Sequence, residues 1–280
     1  MPEPLRLMTV LAHPDDESLG MGGTLVRAVT EGVETYVVTA TRGQSGRYRE
    51  HRSGSPGHPG PERLGQLREA ELRAAARVLG VREVVLLDYV DGALDQADPR
   101  DAVAKIAAQV RRVRPQVVAT FAPDGAYGHP DHIAISQFTT AAMVAAANPG
   151  HAPGGLRPHA VAKLYYIAWP EPALAAYQEA FKALTSTVDG VTRAGQPWPE
   201  WAITTVIDTR AHWERVWRAV SCYESQIGNY ERLAHLSPAS HEALWGWQSY
   251  YRAFSTVNGG RARETDLFEG LRRAPTAARA

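Results

Sequence analysis

Short apolar runs alternate with amphipathic stretches over the first two-thirds of the chain. Apolar and β-branched runs predict strands at 5–12, 35–41, 83–87 and 116–121. Helical spacing of apolar residues predicts helices at 20–31, 64–79, 99–113 and 130–147. Continuous apolar strands that alternate with helices are typical of a parallel sheet covered on both faces. The pattern therefore predicts an α/β fold with a mostly parallel sheet.

Helix-capping residues, loop-forming stretches and later apolar patterns predict the remaining elements. Asp98 suits a helix N-cap and Pro99 the first helical position. Two further stretches, 42–61 and 148–159, carry Gly, Pro and polar residues without periodicity and predict loops, the first of which we expect to be mobile over the site. Later strands are predicted at 163–169 and 202–208, and later helices at 172–185 and 211–226. The aromatic-rich tail from Tyr230 is expected to cap the site or to pack as a separate cluster.

We expect residues 1–170 to form the catalytic core, which holds the metal site. Residues 171–280 are expected to form a C-terminal α/β extension that completes the sheet and covers the site within one compact domain.

Composition excludes several classes of protein. Lys+Arg and Asp+Glu are both 30, so net charge gives no reason to expect a nucleic acid or an anionic membrane as partner. The single cysteine, Cys222, rules out an intrachain disulfide and a Cys-rich zinc site. No leader-like segment opens the chain and no apolar run approaches the ~20 residues of a membrane-spanning helix. We therefore expect a cytoplasmic protein that acts on a small molecule, and a homo-oligomer stays open.

Two polar motifs follow predicted strands. Residues 10–17 read Val-Leu-Ala-His-Pro-Asp-Asp-Glu, and residues 128–132 read Gly-His-Pro-Asp-His after the apolar run 117–121. Active sites of open α/β folds form at the carboxyl ends of strands. Each motif alone has a plainer interpretation, as a polar turn or as the start of a surface helix. Together they predict one site at one edge of the sheet.

Ligand spacing within the motifs favours a metal ion. His13 and Asp16 are three residues apart, as are His129 and His132, and residues at this spacing share a helical face. We expect His13, Asp16 and His132 to bind the metal, because two histidines and a carboxylate with an open position are common in catalytic zinc sites. Fe²⁺ is the alternative ion for this ligand set.

The remaining polar residues suggest catalytic and binding roles. Asp15 could take a proton from water, and His129 could polarise a carbonyl or protonate a leaving amine. Asp131 is a candidate to hold a ligating histidine in one tautomer. Tyr127 could donate to an oxyanion or simply pack. Arg68 could bind a substrate hydroxyl or carboxylate, or could be a solvated surface arginine. Asp91 could accept hydrogen bonds from sugar hydroxyls, although its Asp-Gly pair is also a turn signal.

At these motifs the chain resembles the LmbE/PIG-L family of zinc-dependent N-deacetylases. The resemblance extends through Gly22-Gly23-Thr24, Arg68 with Glu69 and Glu71, and Asp91-Gly92, and covers roughly the first 170 residues. It implies a Rossmann-like fold with an elaborated C-terminal region. It also implies zinc on His13, Asp16 and His132, Asp15 as general base, and His129 acting on the tetrahedral intermediate or the leaving group.

Within the family, the motifs and the late stretch 264–271 resemble the branch that acts on mycothiol and bacillithiol precursors. The chain differs from the mycothiol type at Tyr223, where histidine is usual, and at Arg47, where an acidic residue is usual. Arg47 belongs to an Arg-rich loop that suits the carboxylates of N-acetylglucosaminyl malate. We therefore expect a metal-dependent hydrolase that removes acetyl from an N-acetylglucosamine (GlcNAc) conjugate with inositol or malate.

Three other functions compete with deacetylation. The alternative with the same type of chemistry is an amidase that cleaves a thiol S-conjugate. A non-catalytic metal- or sugar-binding protein is less favoured, because such a protein needs neither Asp15 nor His129. A Rossmann oxidoreductase is disfavoured because the expected Gly-x-Gly-x-x-Gly motif is absent after the first strand.

Overall fold

The computed structural model describes residues 3–151, 155–181, 184–188, 190–260 and 262–272. In chain order the strands are β1 (Arg6–Leu11), β2 (Glu34–Thr41), β3 (Glu83–Tyr89), β4 (Val117–Phe121), β5 (Lys163–Ile167), β6 (Thr185–Val188), β7 (Val191–Ala194), β8 (Thr205–Asp208) and β9 (Trp247–Ser255). The helices are α1 (Asp16–Thr30), α2 (Pro61–Leu79), α3 (Pro99–Val113), α4 (Gly125–Gly128), α5 (Pro130–Ala147), α6 (Glu171–Phe181), α7 (Trp213–Val220), α8 (Ile227–Ala234) and α9 (Pro238–Trp245).

Seven strands form the central sheet in the order β3-β2-β1-β4-β5-β9-β8. Strands β1 to β5 pair in parallel, whereas β9 runs antiparallel to both β5 and β8. The predicted α/β fold with a mostly parallel sheet is confirmed. The strand order reverses between β1 and β4, and ligands of open α/β sheets bind at such a switch point. The first polar motif follows β1 and the second follows β4.

The first half of the chain folds close to the predicted boundaries. Asp98 caps α3, and its side chain accepts a hydrogen bond from the Arg100 N–H at 2.8 Å. Helix α1 is the main correction, because it begins at Asp16 and not at residue 20. Asp16 and Glu17 occupy its first turn, where carboxylates interact favourably with the helix dipole. Asp16 and Glu17 of the first motif are therefore part of the helix, whereas His13 and Asp15 come just before it.

The C-terminal third departs further from prediction. The predicted helix 211–226 is α-helical only over Trp213–Val220, with short 3-10 turns on either side at Arg210–His212 and Glu224–Gln226. The predicted helix 172–185 ends at Phe181. Residues 182–183 of that helix, 152–154 of the predicted loop and 273–280 of the tail lie outside the described residues. The hairpin β6–β7 and strand β9 were not predicted, although β9 is rich in the aromatic residues that favour strands.

The C-terminal third packs directly onto the N-terminal part. It adds β8 and β9 to the same sheet, and α7 lies against α1. The contact with α1 depends on two glycines. A Cβ atom on Gly22 would lie 2.9 Å from Val216, and one on Gly23 would lie 2.6 Å from Thr209. The glycine-rich stretch after the first motif therefore serves close packing. None of the described helices is long and apolar enough to cross a bilayer.

Candidate metal centre and active-site cleft

The two motifs meet at the switch point between β1 and β4. His13 Nδ1 lies 3.3 Å from His132 Nε2, and Asp16 oxygens lie 3.7 Å and 3.6 Å from these two nitrogens. Two nitrogens bound to one tetrahedral zinc at about 2.0–2.1 Å lie about 3.3–3.4 Å apart. All three side chains are buried. The donor set, its spacing and its burial fit a divalent metal ion.

Backbone groups orient the Asp16 carboxylate. Its Oδ2 accepts the N–H groups of Ala12 at 3.2 Å and His13 at 2.7 Å, while Oδ1 faces His132. Burial raises the pKa of this carboxyl, and the charges of Asp15 and Glu17 act in the same direction, while His13 opposes them. A buried carboxylate in this setting gains from a cation beside it.

The second nitrogen of His13 contacts two carboxylates. His13 Nε2 lies 3.0 Å from Asp131 Oδ2 and 3.1 Å from Asp91 Oδ1. Asp131 is itself held by the N–H groups of Gly92 and Leu94, at 2.8 Å and 3.0 Å. Burial opposes ionisation of Asp131, but the hydrogen bond with His13 keeps the pKa of this carboxyl low. This arrangement places the proton on Nε2 and leaves the Nδ1 lone pair free for a metal.

Asp15 has an unusual backbone and two strong partners. Its φ angle is 109°, in the left-handed region that non-glycine residues rarely adopt. Arg68 Nη2 and the Tyr230 hydroxyl both donate to Asp15 Oδ2, at 2.8 Å and 2.5 Å. Both bonds go to the same oxygen, so among the described residues Oδ1 is left for another proton. Arg68 is 4% exposed and also donates to the backbone oxygens of Pro14 and Gly43.

His129 forms the N-cap of α5. Its Nδ1 accepts the Asp131 N–H at 3.2 Å, so the neutral ring carries its proton on Nε2. Burial, together with the charge on His13, lowers the pKa of His129 to about 4. Its ring stacks on His132 with centroids 4.8 Å apart. A neutral His129 is therefore available as a hydrogen-bond donor at neutral pH.

The motifs open into a cleft of about 290 Å³. Tyr127 lines it, with its ring edge against His132 at 5.3 Å between centroids, and burial raises the pKa of its hydroxyl. Asp91 and Arg68 also line the cleft. Arg47 does not: its side chain is exposed, and its backbone oxygen accepts a hydrogen bond from Gln226 Nε2 at 2.8 Å. The structure thus brings together every candidate site residue except Arg47 at the cleft or directly behind it.

The family comparison agrees with this geometry. The sequence profile of the PIG-L family, described as GlcNAc-PI de-N-acetylase, matches residues 8–143. A protein of Kineococcus radiotolerans named 1D-myo-inositol 2-acetamido-2-deoxy-alpha-D-glucopyranoside deacetylase is 34% identical over 311 residues, covering 96% of this chain and 84% of that protein. The chain belongs to the PIG-L family.

Solved structures extend the likeness to the fold. The conserved protein TT1542 from Thermus thermophilus is 27% identical, with a TM-score of 0.64 over 92% of this chain and 99% of that chain. GalB, the 4-carboxy-2-hydroxymuconate hydratase from Pseudomonas putida, is 20% identical, with a TM-score of 0.68 over 92% of this chain and 100% of that chain. Because a hydratase shares it, the PIG-L fold does not by itself define the reaction.

Sequence reasoning missed several cleft residues that lie far from both motifs. Tyr230 lines the cleft and donates to Asp15. Behind the cleft, Tyr223, noted in the sequence only as a departure from the family pattern, donates its hydroxyl to buried Glu17 at 2.6 Å. A row of aromatic and aliphatic side chains forms one side of the cleft: Trp169, Tyr177, Phe181 and Leu184. The abundance of aromatic residues in the C-terminal third was the only sequence feature that pointed to this wall, and it did not show which rings reach the cleft.

Proposed function

We propose that this chain is a metal-dependent N-deacetylase that removes the acetyl group from an N-acetylglucosamine conjugate, with inositol as the favoured aglycone. One observation carries the proposal: the ligand atoms of His13, Asp16 and His132 converge within 4.8 Å of one another. Beside them lies Asp15, whose hydrogen bonds to Arg68 and Tyr230 both go to Oδ2. Identity of 34% over 96% of the chain to a protein named as an inositol-linked deacetylase supports this substrate class.

We assign the metal to His13, Asp16 and His132, with zinc favoured and Fe²⁺ the alternative. When bound there, the ion supplies Lewis acidity toward a carbonyl oxygen and makes water a better nucleophile. Asp131 holds His13 in the tautomer that presents Nδ1. Asp16 is held in place by its two backbone hydrogen bonds.

The remaining residues perform amide hydrolysis. Asp15 Oδ1 takes a proton from the attacking water, whose oxygen bonds to the carbonyl carbon. The Nε2 proton of His129 and the Tyr127 hydroxyl stabilise the charge on the carbonyl oxygen. The C–N bond then breaks, and the proton held by Asp15 passes to the amine. One water is consumed, and acetic acid and the free amine are released, the acid giving up its proton to solution as acetate.

The aglycone is the least constrained part of the proposal. Asp91 accepts one hydrogen bond from the Ser45 N–H and contacts His13, which leaves lone pairs for sugar hydroxyls. Arg68 is already bonded to Asp15, so we assign it to positioning that carboxylate as well as to lining the cleft. Arg47, from the loop at the rim, would contact only an aglycone that extends out of the cleft.

The test is amine release from GlcNAc–inositol, GlcNAc–malate, GlcNAc and a thiol S-conjugate, with metal-free and zinc-loaded protein. We expect zinc-dependent release, fastest with the inositol conjugate. Asp15→Asn should lower kcat by about 10²–10⁴-fold, as is typical for loss of a general base, while one metal stays bound. The exposed carboxylate variant Asp95→Asn is the matched control. Loss of metal in Asp15→Asn, or turnover with the S-conjugate alone, would contradict the proposal.

A further inference from the structure

We propose that the aromatic side of the cleft is an acyl-chain subsite, so that the protein removes acyl groups longer than acetyl from an amino sugar. This inference rests on the proposed amide hydrolysis. It adds the class of acyl group, short- to medium-chain fatty acyl, which neither the motifs nor the named relatives specify.

Sheet topology divides the cleft into two chemically different sides. On the polar side, toward β2 and β3, the wall consists of Gly46, Arg68 and Asp91. On the apolar side, toward β5, the wall consists of Trp169 after β5, Tyr177 and Phe181 of α6, and Leu184. The proposed metal ligands follow β1 and β4, which lie between these strands in the sheet. A substrate whose reacting carbon is at the metal centre therefore has one end on each side.

The apolar side is a continuous row of rings. Trp169 stacks on Tyr177 with centroids 4.5 Å apart, and Tyr177 stacks on Phe181 at 5.9 Å. Phe181 then meets Tyr230 edge-on at 6.0 Å. Leu19, in the first turn of α1, joins this wall, and its backbone oxygen accepts the Tyr177 hydroxyl. This bond fixes the wall to the helix that carries a proposed metal ligand.

The two ends of the substrate amide differ in polarity, as do the two sides of the cleft. The amine end carries a sugar, whose hydroxyls need hydrogen-bond partners that the polar side supplies. The acyl end then points toward the rings. The methyl of an acetyl group would contact only a small part of a wall built from Leu19, Trp169, Tyr177, Phe181 and Leu184. Additional methylenes would remove the rest of this apolar surface from water.

The experiment uses N-acetyl-, N-butyryl- and N-hexanoylglucosamine in two measurements. In the first, kcat/KM for amine release is measured with the zinc-loaded protein. In the second, the affinity of each ligand is measured calorimetrically with Asp15→Asn, whose turnover is expected to be about 10²–10⁴-fold slower. We expect kcat/KM and affinity each to rise about fourfold per added methylene until the wall is covered.

Two variants localise the effect. Leu184→Trp fills the apolar side from a position outside any helix or strand, and should abolish the rise with chain length. Asp91→Asn, on the polar side, should lower the values for all three ligands and leave their ratio unchanged. Thermal unfolding of each variant confirms that it is folded. If Leu184→Trp does not fold, Leu184→Ser, which should flatten the rise, replaces it.

The outcomes separate this inference from the proposed function. Acetyl turnover with no gain from longer chains would overturn the acyl subsite and leave the deacetylase intact. Binding that strengthens with chain length without turnover of any ligand would support the subsite and overturn the hydrolase. A gain from a phenyl aglycone in place of a longer acyl chain would assign the rings to the aglycone and overturn the inference.

Discussion

Two clusters of buried charge differ in how they are neutralised. Around Glu264, which is 1% exposed, Lys163 Nζ and Arg252 Nη1 lie 2.7 Å and 2.8 Å from the carboxylate. Three neutral groups also donate to it: the hydroxyls of Tyr165 and Thr205, and the Asn258 amide. The cleft cluster has the opposite balance. Its five carboxylates are Asp15, Asp16, Glu17, Asp91 and Asp131. Within the described residues, Arg68 is the one guanidinium that pairs with any of them.

The difference separates a structural cluster from a functional one. A buried charge is tolerated where the protein supplies its full complement of partners, as it does for Glu264. Where negative charge remains in excess around converging ligand atoms, we expect a cation from solution to complete the balance. The late sequence stretch that contains Glu264 therefore belongs to the structural cluster and not to the site.

The largest expected effect comes from breaking the structural cluster. Glu264→Ala leaves Lys163 and Arg252 buried without a counter-charge, and should lower the free energy of unfolding by about 3–5 kcal/mol. Urea denaturation measures this. Asp101→Ala, which removes a carboxylate paired at the surface with Lys105, is the control and should cost about 0.5 kcal/mol or less. Equal losses in the two variants would show that the cluster is not structural.

The second effect concerns the cleft cluster and depends on metal. Zinc at about 100 times its Kd should stabilise the wild-type protein by about 2.7 kcal/mol, because the ion binds the folded state. Thermal unfolding with and without zinc measures the shift. Asp95→Asn should keep the shift and His132→Ala should lose it. A shift that persists in His132→Ala would place the metal elsewhere.

A smaller effect is expected from a single hydrogen bond within the cleft cluster. Tyr230→Phe removes the donor to Asp15 Oδ2, and a bond to a charged group contributes about 1.5–3 kcal/mol. We expect kcat/KM to fall about tenfold or more with metal binding unchanged. Tyr89→Phe is the matched control, since Tyr89 donates to the exposed Asp101 at 2.6 Å, away from the cleft. An unchanged kcat/KM would remove Tyr230 from the positioning of Asp15.

The last effect is the acid response of Glu264. Burial acts against ionisation, but the hydrogen bonds from Lys163 and its other partners lower the pKa of Glu264 to about 2. The stability that this carboxylate contributes is therefore present above its unfolded pKa of about 4.3 and is lost as the pH falls through about 2. The stability difference between the wild type and Glu264→Gln should be constant from about pH 7 to 5 and should shrink below about pH 4. A difference that grows on acidification would reverse this assignment.

The sequence predicted the parts of the site that are local in the chain. His13 and Asp16 lie within one turn, as do His129 and His132, and each pair follows a strand that was recognisable from its apolar run. Parallel strands bring their carboxyl ends to one edge, so the meeting of the two motifs could be predicted without knowing the strand order. The contact between Asp131 and His13 could be anticipated for the same reason.

Contacts made by the last third of the chain could not be predicted in this way. Tyr230 reaches Asp15 across 215 positions, and no local pattern encodes a contact of that range. The apolar pattern placed the start of α1 at residue 20, whereas the helix begins at Asp16. Arg47 was placed at the substrate because of its charge, whereas the backbone of its loop is held to Gln226 and directs the side chain outward.

Strand β9 has a consequence for biosynthesis. It lies between β5 and β8, yet it is the last strand of the described chain to leave the ribosome. Until residues 247–255 emerge, β5 presents a row of unpaired backbone groups, and such an edge invites pairing with other chains. We expect nascent or prematurely terminated chains to associate through β5. The risk of aggregation would then be highest in the interval before this final strand is synthesised. Chaperones that shield open sheet edges would help most during that interval.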